Sequence, residues 1–352
     1  MAWPGVLRKY RDRVAIDGLD DPVTLLEGGT PLVPAPKVAE LLGGGFELFL
    51  KYEGLNPTAS FKDRGMTAAI THAKAHGARA VICASTGNTA ASAAAYAARA
   101  GMACFVLVPD GKIALGKLAG ALAYGARVVA IRGSFDDGLR MVREASARAP
   151  VELVNSVNPA RIQGQKTASF EIVEALGDAP DWLVLPVGNA GNITSYWLGF
   201  REACDSGDAV RLPQVLGAQA EGSAPIVHGR VVENPETVAT AIRIGNPARW
   251  QEANAALRES NGLILAVSDA EILGAYRKLA SLEGVFCEPS SATGIAGLAH
   301  ALCFGKVDVR GKRVVAVLTG HGLKDPDSAV AGAQPPITID ASMDDLMKVL
   351  ES

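Results

Sequence analysis

The chain has 352 residues, 49 % of them apolar and 20 % charged, enough to build one large α/β unit or two to three domains. A formal net charge of −3 excludes a general nucleic-acid binder but leaves room for a local basic pocket that takes a small anion. Five cysteines (Cys83, Cys104, Cys204, Cys287, Cys303) are scattered without a Cys-x-x-Cys pair, the pattern of reduced thiols in a cytoplasmic protein. Met1–Asp12 lacks the apolar stretch of a secretory signal, and Ser85, Thr86, Asn88 and Arg99 interrupt the apolar region Ile82–Val108, so no membrane span is expected.

From about residue 80, short apolar runs alternate with longer Ala-rich runs. Strands are expected at Ala80–Ala84, Cys104–Val108, Arg127–Ile131, Glu152–Val154, Trp182–Val187, Gln214–Ala218, Leu263–Val267 and Arg313–Leu318. Helices are expected at Thr89–Ala100, through Leu118, at Asp136–Ala149, near Gln163–Leu176 and, in the tail, at Asp344–Leu350. The strands are continuous and β-branched, which suits strands buried on both faces of parallel sheets with right-handed crossovers. More strands are present than one sheet needs. The expectation is therefore a two-domain α/β enzyme, with a smaller domain (57–152) inserted into a larger one (1–56 and 153–352) and a site between them.

Four runs carry chemistry. In Asn56-Pro57-Thr58-Ala59-Ser60-Phe61-Lys62-Asp63-Arg64-Gly65, turn residues lead into a helix, so Lys62 stands where positive backbone N–H groups gather. An ammonium is disfavoured there, and the neutral amine needed for a Schiff base becomes accessible; a solvated surface lysine is the plain alternative. Ser85-Thr86-Gly87-Asn88-Thr89 joins a strand to a helix, where either its four polar groups and permissive glycine cradle a carboxylate or Asn88 or Thr89 simply caps the helix. Gly188-Asn189-Ala190-Gly191-Asn192 follows an apolar strand and opens a helix, as a phosphate cradle or a tight turn. It is neither a Walker loop nor a dinucleotide fingerprint. Thr319 ends the strand before Gly320-His321-Gly322, where its hydroxyl either meets a heteroaromatic nitrogen or caps a turn. His72 and His76 are four apart on a helix, yet no carboxylate or cysteine stands in register with them, so no metal is expected.

Together these runs resemble the fold-type II pyridoxal-phosphate enzymes (tryptophan synthase beta-like), and among them the threonine synthases of short form. The resemblance extends through Glu27–Leu32, Asn155-Ser156-Val157-Asn158-Pro159, Glu288-Pro289-Ser290-Ser291-Ala292, Ala241-Ile242-Arg243-Ile244-Gly245-Asn246-Pro247 and Thr319-Gly320-His321-Gly322-Leu323-Lys324. The last two runs are the ones most like the threonine synthases.

The resemblance implies open, twisted, mostly parallel sheets flanked by helices, with pyridoxal 5'-phosphate as cofactor. It implies a γ-elimination and β-hydration that turn O-phosphohomoserine into threonine and phosphate. Lys62 is then the Schiff-base lysine and the proton shuttle, Phe61 borders the ring, and Asn88 meets the phenolic oxygen. Gly188, Asn189, Ala190, Gly191 and Asn192 hold the cofactor phosphate, and Thr319 meets the pyridine nitrogen. A phosphorylated substrate needs a second anion site, for which Asn155, Ser156 and Arg161 are the candidates. A homodimer is expected, with no membrane or nucleic-acid partner. A serine or threonine dehydratase would share Lys62 but needs no second anion site. A silent sensor is disfavoured by the intact Lys62, and Glu288 and His321 receive no role.

Overall fold

The computed structural model describes residues 2–85, 87–110, 115–133, 135–331, 333 and 335–351. Two sheets organise it. The larger holds six strands in the order β1 (Leu32–Pro34), β2 (Glu47–Tyr52), β10 (Arg313–Leu318), β7 (Trp182–Pro186), β8 (Gln214–Ala220) and β9 (Leu263–Val267). Only β1 runs antiparallel to its neighbour. The smaller sheet is fully parallel, in the order β5 (Arg127–Ile131), β4 (Ala103–Pro109), β3 (Ala80–Ala84) and β6 (Val151–Leu153).

Every apolar run from residue 80 onward that reads as a strand is one, within a residue or two of the expected ends. The pleat explains why these runs are continuously apolar. Val314, Ala316 and Leu318 of β10 pack on one face of the larger sheet with Val184 of β7, while Val315 and Val317 pack on the other with Leu183 and Leu185. Helices cover both faces, so neither face can be polar. Two more cores flank the smaller sheet.

The structure adds β1 and β2, which lie before the alternation begins. It also divides the helix expected near Gln163–Leu176 into Pro159–Gln165 and Thr167–Leu176. Asn158 starts the first piece: its side chain accepts the Ala160 N–H, and Pro159 takes a position whose N–H has no helical partner.

The connection from β2 passes through a single 3-10 turn, Glu53–Leu55, into the turn Asn56–Phe61 and the helix Lys62–Ala75. That helix packs closely on Pro159–Gln165. A Cβ on Gly164 would stand 1.9 Å from the Arg64 carbonyl oxygen, so only glycine permits this crossing. The start of the Lys62 helix is therefore held beside Arg161 by backbone contact.

Candidate active site

The four chemistry-bearing runs all lie beyond the carboxyl ends of strands: the lysine turn beyond β2, Ser85–Thr89 after β3, the glycine loop after β7 and Thr319 after β10, with Asn155 likewise after β6. This is the edge at which open α/β sheets bind ligands.

Lys62 is the first residue of its helix, and its Nζ lies 4.3 Å from the centroid of the Phe61 ring. Its side chain is half-buried. Burial, reinforced by the Arg161 cation and partly opposed by Glu288, lowers the ammonium to about 7. A large fraction of neutral amine is thus present near neutral pH, as nucleophilic attack on an aldehyde requires.

A buried ionic cluster fixes this helix start. Arg64 grips Glu53 through Nε at 2.7 Å and Nη2 at 2.8 Å, and Glu171 through both Nη atoms at 2.7 Å. Lys51 joins Glu171 at 2.6 Å. Burial alone would raise the Glu171 carboxyl, but the Arg64 and Lys51 cations reverse this and hold it at about 2. Asp63 accepts the Thr58 N–H and the Ser92 hydroxyl, each at 2.6 Å, which ties the Lys62 turn to the helix Asn88–Ala100.

Asn88 begins that second helix, buried, and its Nδ2 donates to both carboxylate oxygens of Glu288 at 3.3 and 3.1 Å. Thr319 exchanges a hydrogen bond with Ser291 Oγ at 2.9 Å and donates to Glu288 Oε1 at 3.4 Å. Phe61 N–H donates to the Thr319 carbonyl at 2.9 Å, so the lysine turn and the end of β10 are stitched together. Glu288 therefore joins Lys62, Asn88 and Thr319 in one buried cluster, where burial raises its own carboxyl despite Asn88, Lys324 and Lys62. Sequence reasoning left Glu288 without a role. The only signal was its place in the Glu288–Ala292 run, because its contact with Asn88 spans 200 residues.

The glycine loop runs from β7 into the helix Gly191–Asp205, with Ala190 left-handed at φ 63°. Ala59, in the lysine turn, is left-handed too, at φ 64°. Non-glycine residues pay for this conformation, and both lie in runs singled out for chemistry. Asn192 is buried, and its Nδ2 has no hydrogen-bond partner. A Cβ at Gly191 would meet nothing within 4 Å. An orphaned donor, free space and the unpaired N–H groups of a helix start are what a phosphate group satisfies. With Lys62 as the amine and Thr319 as a neutral hydroxyl, the donor set fits pyridoxal phosphate.

Arg161 is wholly buried. Its Nη1 donates to the Val154 carbonyl at 3.1 Å, its Nε has no partner, and among the described residues no carboxylate pairs with it. Burial and the neighbouring Arg249 lower it to about 10. Its guanidinium is therefore in no surface ion pair among the described residues. Asn155 uses its amide on the backbone of Ala84, accepting the N–H and donating to the carbonyl, each at 3.0 Å. This peptide-like pairing sets Asn155 and Ser156 beside Ser85.

The Ser156 carbonyl accepts from Arg249 Nε, and Val157 O from Arg249 Nη2, each at 3.3 Å. Sequence reasoning missed Arg249, which stands just past the Ala241–Pro247 run. Ser85 is half-buried, with its Oγ accepting the Gly87 N–H at 3.4 Å, and Thr89 is buried in its helix. Thr86 lies outside the described residues. A separate cavity of about 490 Å³, lined by Arg8, Lys74, Arg99 and their neighbours, contains none of these groups.

Comparison with known proteins agrees with this chemistry. Residues 23–320 match the family model described as pyridoxal-phosphate dependent enzyme. The threonine synthase of Synechocystis sp. is 58 % identical over 96 % of this chain and 90 % of its own length. That of Methanocaldococcus jannaschii is 47 % identical over 97 % and 86 %. The processed form of threonine deaminase isoform 2 from Solanum lycopersicum superposes with a TM-score of 0.71 at 22 % identity, covering 92 % of this chain and 83 % of its own, which shows the shared fold alone. The chain belongs to the pyridoxal-phosphate dependent enzymes and, within them, to the threonine synthase family.

Proposed function

We propose that the chain converts O-phosphohomoserine and water into L-threonine and phosphate, with Lys62 as its catalytic base and acid. The observation that carries this reading over a dehydratase is Arg161, a buried guanidinium beside the lysine that has no carboxylate partner among the described residues. A buried cation left unpaired costs several kcal/mol, on the order of the penalty per ion for removing charge from water. A phosphorylated substrate offsets that cost, whereas serine and threonine bring no second anion.

Pyridoxal phosphate, when bound, supplies the electron sink for charge developing on the substrate carbons. The residues of the chain do the rest. The Gly188–Asn192 loop would hold the cofactor phosphate through its N–H groups and the Asn192 amide. Phe61 would border the ring, Asn88 would donate to the phenolic oxygen, and Thr319 would meet the pyridine nitrogen as a neutral hydroxyl. Lys62 Nζ takes the substrate Cα proton and then a Cβ proton as phosphate leaves, and it gives protons back at Cγ and Cα; about half of this amine is neutral near pH 7. Ser85, Thr86 and Thr89 orient the substrate carboxylate. Arg161, with Asn155 and Ser156, holds the substrate phosphate until it leaves from Cγ. Water is excluded until that departure and then adds at Cβ.

We also carry the division into residues 57–152 and the remainder, supported by a four-stranded sheet whose members lie between Ala80 and Leu153. The reading as a cytoplasmic homodimer goes with it. All five cysteines are free thiols, and among the described residues no helix is long and apolar enough to cross a membrane.

The deciding assay follows phosphate and threonine together from O-phosphohomoserine. Equal release, lowered at least ~10³-fold by Lys62→Ala, is the expected outcome. Ketoacid from serine or threonine, with no phosphate release, would assign a dehydratase instead.

A further inference from the structure

The helix that opens with Lys62 closes on a second cluster, outside the chemistry above. His72 and His76 sit one turn apart near its exposed end, with ring centroids 4.4 Å apart. The fold brings Asp17 to them from the N-terminal segment. Asp17 Oδ2 lies 2.8 Å from His76 Nε2 and 3.8 Å from His72 Nδ1, and one ligand atom from each residue falls within 4.8 Å of the others. We propose that Asp17, His72 and His76 form a divalent transition-metal site, with zinc as the fitting ion.

Donor type, spacing and preorganisation argue for it. Two imidazoles and one carboxylate are a ligand set that zinc accepts, with solvent completing the tetrahedron. Zinc bonds of ~2.0–2.1 Å put neighbouring tetrahedral donors about 3.3 Å apart. The two distances to Asp17 straddle that value, so small side-chain rotations suffice. The His72 Nδ1 accepts the Asp17 backbone N–H at 3.4 Å, a long hydrogen bond that a bond to the ion would replace.

The loop is also built to lie there. Gly18 has φ +87°, and a Cβ on it would stand 2.9 Å from the Thr71 carbonyl oxygen and 3.0 Å from the Ala75 Cβ. Only glycine lets this segment press onto the helix. Val23 then anchors the far side, its N–H donating to Thr71 Oγ1 at 3.0 Å and its carbonyl accepting from Thr67 Oγ1 at 2.5 Å. The other acids of the loop have cationic partners of their own, Asp20 with Arg11 and Asp21 with Lys74, whereas Asp17 faces the imidazoles.

The bound ion would clamp the N-terminal segment to the helix about 15 Å from Lys62, given 1.5 Å per helical residue. The site does not depend on the reaction assigned above.

The test uses the full-length, pyridoxal-phosphate-loaded protein, stripped with chelator and titrated with zinc chloride by calorimetry. One equivalent should bind with Kd on the order of 1–100 µM, weaker than a closed structural site because solvent fills a position. His72→Gln and His76→Gln should each weaken it by roughly tenfold or more, and Asp17→Asn by less. X-ray absorption at the zinc edge should report only nitrogen and oxygen donors, and saturating zinc should raise the Tm of the wild type by a few degrees but not that of the double histidine variant. The three side chains are exposed or half-buried, so the variants should fold with unchanged turnover. Equal affinity in the wild type and the double variant would overturn the proposal. So would sulfur in the first coordination sphere, which would point to the exposed Cys303.

Discussion

The two ends of the Lys62–Ala75 helix use similar residues to opposite effect. At its start, Arg64 and Lys51 meet Glu53 and Glu171 with every side chain at or below 6 % exposure. At its end, Lys74 meets Asp21 at 2.7 Å, as short as the buried contacts, but with exposures of 44 % and 83 %. Distance alone does not distinguish these pairs; water does. An exposed pair trades one good solvation for another and is screened by salt. A buried cluster has no solvent to fall back on, so removing one member leaves the others stranded. That is why the buried end fixes the position of the Lys62 amine, while the exposed end can tolerate change.

The sharpest way to break this contrast is at the buried end. Glu171→Gln leaves Arg64 and Lys51 short of an anion and should destabilise the protein by ~3–5 kcal/mol in urea unfolding. The sign with pH follows. The folded carboxyl, at about 2, is far below its ordinary value, so its contribution is present at neutral pH and lost as pH falls toward 2. The variant should therefore lose less stability than the wild type between about pH 5 and pH 2.

Arg161→Ala comes next. Loss of a charged hydrogen bond to phosphate should lower kcat/KM for O-phosphohomoserine by roughly 10–100-fold, at ~1.5–3 kcal/mol. Cofactor absorbance should stay intact. An unchanged kcat/KM would remove Arg161 from the substrate site.

A smaller effect sharpens the electrostatics of the amine. Capture of pyridoxal phosphate by the cofactor-free protein should accelerate as pH rises through about 7, where Lys62 loses its proton. Glu288 opposes the lowering, so Glu288→Gln should move that midpoint to lower pH, as stopped-flow absorbance would record. The smallest effect belongs to the exposed end, where Lys74→Ala should leave the urea midpoint unchanged within error. A clear loss there would show that exposure does not separate the two ends.

Much of this was legible in the chain itself. Continuous β-branched runs and intervening Ala-rich runs determined the parallel sheets, because a strand covered by helices on both sides must be apolar on both faces. The lysine turn, the Gly188–Asn192 loop and the Thr319 strand end were readable because each is a local device, a strand followed by a turn and a helix start. β1 and β2 were missed because they lie before the alternating pattern.

Only the tertiary structure decided what depends on chain crossing. It set Glu288 against Asn88 and Thr319, placed Arg249 under Ser156, buried Arg161 beside Lys62, and brought Asp17 to His72 and His76. Periodicity encodes which face of an element is buried, since that is a property of neighbours along the chain. It holds no record of which distant side chain will stand opposite, because strand order and the packing of crossover helices determine that.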